Sequence, residues 1–232
     1  MLTNPAKHGS IWTDKRICYP GRMELRSGVV ALAVGGVFGA ATSLINDVSS
    51  PYGMMGRRMG DTGWRWAAEV ASKLLDAGWA WAGLAVAMGW MAGAGARGAV
   101  AGVLALLAAT TAYFGMDSLL LEGSPEGTFA DYWYEMRFWW LASVVLGPAL
   151  GVVGASIGRP GVIGLLAGLT VPVGATVQMI WLTGSPPLEV DPAMDWARMI
   201  VWVAAAVGAG GLVIRFSASL KGGRMPRDGS RD

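Results

Sequence analysis

The sequence predicts an all-α, polytopic membrane helix bundle with about six transmembrane helices (six to seven) and both termini cytoplasmic. Three observations carry that reading. The chain is 53% hydrophobic and 15% charged, with 35 glycines in 232 residues and a mean hydropathy of +0.45, whereas soluble domains carry about 25% charged residues. Six predominantly apolar runs lie near the roughly 20 residues that cross a bilayer: 28–45, 64–93, 98–121, 132–157, 161–183 and 193–216. Threaded alternately, they place twelve of the eighteen Lys and Arg residues on one side, which the positive-inside rule assigns to the cytoplasm.

Residues 1–26 read as a cytoplasmic N-terminal arm. They hold five basic groups, Asp14 and Glu24, and lack the apolar core of a cleavable signal peptide, so the first span is expected to be an uncleaved anchor. The transmembrane bundle is expected over 27–217. Residues 218–232 read as a basic, disordered tail, suited to anionic lipid headgroups rather than nucleic acid because it immediately follows a span. The single cysteine, Cys18, and the single histidine, His8, both fall in the arm. They cannot form an intrachain disulfide or a His-based metal site, and no phosphate-binding loop or serine nucleophile motif accompanies them, so no metal and no cofactor is expected.

Span one carries Gly35, Gly36 and Gly39, span four Gly147, Gly151 and Gly154, and span six Gly208, Gly210 and Gly211. Small residues at such spacing let helix backbones approach closely in lipid. Pro148 and Pro172 are expected to kink spans four and five. Spans one, three and five each begin with Arg followed closely by Gly, at Arg26-Ser27-Gly28, Arg97-Gly98 and Arg159-Pro160-Gly161, a pattern compatible with three weakly repeated helical hairpins.

The charge pattern concentrates chemistry in the other half of the bundle. Twelve of the sixteen carboxylates fall toward the rim opposite the termini, interleaved with most of the twelve tryptophans, and charge held among aromatic rings at membrane depth invites a functional reading. In span two, Glu69, Lys73 and Asp76 are four and three residues apart and share a helical face. Its plainer reading is a Glu69–Lys73 pair at headgroup level among belt tryptophans; Asp76, deeper in the span, is expected to face the interior. In span three, Tyr113 and Asp117 lie one turn apart and can share a hydrogen-bonded site. Span four opens with six aromatic side chains in ten residues, including Trp133, Tyr134 and Trp139 around Glu135 and Arg137. In span six, Pro192 suits the first turn and Asp195 a charge-favourable N-terminal position, with Arg198 as a surface partner.

Gathered together, these acids and a wall of Trp66, Tyr113, Trp133, Tyr134 and Trp139 would line one pocket, with Asp76 among the substrate-binding groups. Aromatic faces stabilise a desolvated cation by up to about 2 kcal/mol each, and a buried carboxylic acid can donate a proton. That combination suits proton-initiated cyclisation of a prenyl chain.

In size, span number and the acids near the starts of span two (Glu69) and span six (Asp195), the chain resembles the small integral-membrane terpene cyclases of fungal meroterpenoid and actinomycete indole-alkaloid pathways. The resemblance implies a cofactor-free, multi-pass cell-membrane enzyme that protonates a terminal alkene or epoxide of a prenylated small-molecule substrate. It carries Glu69 and Asp195 over as the catalytic acid pair, with Asp117 added by its similar environment. Fungal members have seven spans where six are counted here. Two other classes fit the same residues. A small proton- or cation-coupled transporter or channel component would use Glu69, Asp76 and Asp117 as a relay with Lys73 as a gate. A non-catalytic membrane partner protein would use the aromatics as a docking surface.

Overall fold

The computed structural model describes residues 20–60, 62–93, 95–120, 130, 132–181 and 191–222, with backbone alone at 20–25, 59 and 221–222. Cys18, His8, Asp131 and the end of the basic tail lie outside the described residues. Among the described residues the chain forms eight helices: α1 Pro20–Ser49, α2 Met54–Met59, α3 Gly63–Leu75, α4 Gly78–Ala92, α5 Gly95–Leu120, α6 Trp133–Ser156, α7 Val162–Trp181 and α8 Pro192–Gly222. Five of them, α1, α5, α6, α7 and α8, are long and apolar enough to cross a membrane.

The expected second span departs from the prediction. Residues 64–93 do not form one helix but two, α3 of 13 residues and α4 of 15, broken where Ala77 turns extended (φ −69°, ψ 136°). A break exposes backbone groups that hydrocarbon cannot satisfy, so it persists only where neighbours replace the lost bonds. Here the side chain of Gln178 on α7 accepts a 2.9 Å hydrogen bond from the Trp79 N–H, and Ala80 N–H reaches the Ala77 carbonyl. Gly78 lies against the same side chain, a Cβ there falling 3.5 Å from the Gln178 carboxamide, an ordinary contact.

Contacts along the helices fix their directions. Gly35 and Gly39 of α1 press against the carbonyls of Ala105 and Ala109 of α5, and a Cβ at either glycine would overlap that backbone. The matched order shows that α1 and α5 run parallel. Val70 of α3 packs on Ala193 and Ala197, and Ala77 packs on Val201, so α3 runs alongside α8. Gly78 meets Gln178 and Gly83 meets Val171, so α4 opposes α7, which in turn opposes α8 through Gly168–Leu212 and Pro172–Gly208. The pair α3–α4 therefore makes one broken crossing in the same sense as α8. The five long apolar helices and the α3–α4 pair thus make six passes along the bundle, with the start of α1 and the end of α8 at the same end.

The core follows the small residues. Ala31, Leu84, Ala85, Met88, Ala101, Ala105, Leu106 and Ala109 form the main buried cluster between α1, α4 and α5. Gly98 and Gly102 of α5 meet Gly151 and Gly147 of α6 backbone to backbone, the close approach that small residues permit. Pro148 and Pro172 lie inside α6 and α7, both of which remain continuous helices.

Candidate intramembrane polar site

At the end opposite the termini, α1, α3 and α5 converge on a polar cluster. The α1 helix contributes Ser43 and Asn46, three residues apart and thus on one face. Ser43 is fully buried, and its hydroxyl donates a 2.5 Å hydrogen bond to Asp117 Oδ1 on α5. One turn earlier on α5, the Tyr113 hydroxyl accepts a 3.1 Å bond from Asn46 Nδ2. The Asn46 Oδ1 accepts a 2.7 Å bond from the Ser72 hydroxyl on α3. Ser72 lies four residues before Asp76, which ends α3 at the break and is exposed. Asp47, Asp76 and Glu135 lie near enough to Asp117 to act on it electrostatically.

An aromatic ladder flanks this cluster. Phe38 of α1 meets Trp81 of α4 edge to face at 5.5 Å, Trp81 meets Tyr113 at 6.1 Å, Tyr113 meets Phe114 at 5.3 Å, and Phe114 meets Tyr132 at 5.6 Å. Above it the Asp47 carboxylate caps α2, accepting from the Met54 and Met55 N–H groups at 3.0 and 2.9 Å. The connection after α1 is thereby held over the cluster.

Asp117 and Tyr113 lie in this cluster on separate bonds, to Ser43 and to Asn46, and Asp76, expected to face the interior, is instead exposed at the end of α3. Glu69, Trp66 and Asp195 belong instead to a second group, between α3 and α8. Glu69 accepts from Arg65 Nε at 3.3 Å on its own helix. The expected Glu69–Lys73 pair is replaced by Lys73–Asp191 at 2.8 Å, which ties α3 to the start of α8. Asp195 faces Arg198 Nη1 at 3.4 Å with its side chain 62% exposed, and Trp66 meets Trp196 edge to face at 6.1 Å. Partial burial pushes the Asp191 carboxyl up, but the Lys73 ammonium and the Met194 N–H outweigh it and hold the group below the usual carboxylate range.

The span-four aromatics form a third group, on the outside of α6. Trp133 pairs with Trp140, whose indole N–H donates to the Thr111 hydroxyl at 3.1 Å. Phe138 pairs with Trp139, and the Arg137 guanidinium lies 4.8 Å from the centre of the Tyr134 ring. Trp133, Tyr134, Phe138 and Trp139 are all exposed, the placement of an interfacial aromatic belt. The sequence reading missed Ser43, Asn46, Ser72, Phe38 and Trp81. A signal existed for the first two, a pair of polar residues three apart inside an apolar run.

Among the described residues no group of three His, Cys, Asp or Glu side chains is placed to hold a metal ion. Comparison with protein-family models, with curated proteins and with solved structures finds no match to this chain.

Proposed function

We propose that the protein handles protons or a small cation in the outer half of the cell membrane, as a compact proton- or cation-coupled transporter or channel component. One observation carries the reading. Asp117 is bonded to fully buried Ser43, beside a Tyr113–Asn46–Ser72 chain that leads to the broken crossing and Asp76. A carboxylate at membrane depth is costly and marks ion or proton pathways, and interrupted helices are where such pathways put their ligands. Orientation with both termini cytoplasmic, expected from the basic residues, would open the site to the outside. The relay narrows to Asp76 and Asp117, because Glu69 and Lys73 are engaged with Arg65 and Asp191. The test is flux: purified protein in liposomes containing a pH-sensitive dye, driven by a potassium diffusion potential, with several monovalent cations tried as co-substrate. Asp117→Asn is expected to lower the rate at least about ten-fold; equal flux in wild type and Asp117→Asn would sink the proposal.

The aromatic ladder favours a second reading. Rings that flank a carboxyl suit a protonation-initiated terpene cyclase, in which Asp117 would protonate the prenylated substrate while Trp81, Tyr113 and Phe114 stabilise the resulting cation. Glu69 and Asp195 are less suited to the acid role, since each is met by an arginine of its own helix. Membranes incubated with prenylated indoles or quinones would then yield products of unchanged mass and shifted retention, lost in Asp117→Asn.

A further inference from the structure

We infer that the groove between α1 and α4, at the end of the bundle shared by the termini, binds one anionic phospholipid, with the phosphate on Arg26 and an acyl chain along Val30, Met88 and Met91. This groove lies at the opposite end from the Asp117 cluster. Arg26, Ser27 and Val30 of α1 line it on one side and Met88, Met91 and Ala92 of α4 on the other, around a volume of about 240 Å³. Met88 is buried and forms the floor, whereas Val30 and Met91 are exposed, so the groove is open on the lipid side. An apolar cavity of about 150 Å³ takes up benzene, and this one has room for a bent stretch of hydrocarbon beside flexible methionines.

Charge decides which lipid. An acyl chain gains no hydrophobic energy by leaving other tails for the groove, so selection falls to the headgroup. Arg26 is exposed at the mouth and makes no ion pair among the described residues. A second arginine stands at the same level. The register that sets Gly35 against Ala105 and Gly39 against Ala109 brings Arg97 of α5 level with Ser27. Ala101, one turn after Arg97, is buried in one cluster with Ala31 and Met88, so Arg97 lies on the face of α5 turned to α1 and α4. Among the described side chains no carboxylate lies at this end. A guanidinium pairs bidentately with a phosphate, and the local positive field opposes the choline of a zwitterionic lipid while tolerating an uncharged glycerol headgroup. The same repulsion speaks against the chain's own arm as occupant, since residues 1–22 hold Lys7, Lys15, Arg16 and Arg22 against Asp14 alone.

The experiment is native mass spectrometry of the full chain released from non-ionic detergent, titrated with phosphatidylglycerol or with phosphatidylcholine of the same acyl chains. The wild type is expected to retain one phosphatidylglycerol and to bind phosphatidylcholine at least about five-fold more weakly. Arg26→Gln, at an exposed position, should bring phosphatidylglycerol down to the phosphatidylcholine level. Arg159→Gln, exposed at the same end but outside the groove, should leave the preference intact. Val30→Trp obstructs the chain rather than the headgroup and should weaken both lipids alike, with the melting profile of each variant unaltered. Equal affinity of the wild type for the two lipids, or equal losses in Arg26→Gln and Arg159→Gln, would overturn the inference, because the basic end would then attract lipid diffusely. So would unchanged binding by Val30→Trp, which would place the lipid elsewhere, or no retained phosphatidylglycerol at all.

Discussion

Ser43 on α1 and Asp117 on α5, 74 residues apart in the chain, share a 2.5 Å hydrogen bond whose donor is fully buried. This bond joins the two parallel helices at the level where Asn46 and Tyr113 make a second link. Removing the Ser43 hydroxyl deprives Asp117 of its donor, and an unmet polar group of this kind costs about 1–3 kcal/mol. Ser43→Ala is therefore expected to melt measurably lower in detergent, whereas Asp117→Asn, which keeps an acceptor oxygen for Ser43, should stay closer to wild type. Identical melting of Ser43→Ala and wild type would show that the bond contributes nothing to stability.

The glycines of α1 separate packing from mere flexibility. A Cβ at Gly39 would overlap the Ala109 carbonyl of α5, while at Gly36 it would meet nothing within 4 Å. Gly39→Ala must push the helices apart and should cost about 1–3 kcal/mol, the usual range for overpacking. Gly36→Ala should be neutral or slightly stabilising, because alanine favours a helix over glycine. Guanidinium or thermal unfolding of the two variants side by side decides it; equal losses would contradict this helix contact.

The Lys73–Asp191 pair sets an acid limit on the α3–α8 contact. The folded-state carboxyl of Asp191 lies below its usual value, so the unfolded chain takes up the proton first as pH falls. The stabilisation is complete above the unfolded value of about 4 and disappears as pH drops through the lower folded value. Asp191→Asn should thus be less stable than wild type at pH 7 and indistinguishable from it near pH 2. With the side chain 46% exposed, solvent screening keeps the difference small. A gap between the two proteins that persists unchanged at the acid end would exclude this pair as its source.

Topology can be read directly. Reporter fusions at Gly95 and Gly158, at the end of the bundle shared with the termini, should report the cytoplasm, and one at Gly60, after α2, the outside. A cytoplasmic signal at Gly60 would reverse the orientation and place the Asp117 cluster on the inner face.

The five long spans were legible because each is a local property, an apolar run long enough for hydrocarbon; the break at Ala77 was not, because it depends on Gln178 of α7. That Tyr113 and Asp117 both face α1 was legible in part for a similar reason, as helical periodicity brings residues four apart onto one face, but their partners Asn46 and Ser43 were not. Asn46 was harder to find, since its amide earns significance only from Tyr113 and Ser72 on two other helices.

Composition and spacing by themselves determined a helical membrane bundle and pointed to acids and aromatic rings gathered toward one end, while five of the six expected spans are single helices long and apolar enough to cross a membrane. Only the tertiary structure decided which of those groups meet. It divided a supposed single pocket into three places: Asp117 and Tyr113 between α1 and α5, Glu69 and Asp195 with arginines along α3 and α8, and Trp133, Tyr134 and Trp139 on the outer face of α6. It also broke the second crossing after Asp76. The physical reason is that periodicity gives a residue's face on its own helix but not which helix covers that face. In an apolar bundle that choice falls to backbone contacts such as Gly39–Ala109 and to single side-chain bonds such as Gln178 to Trp79.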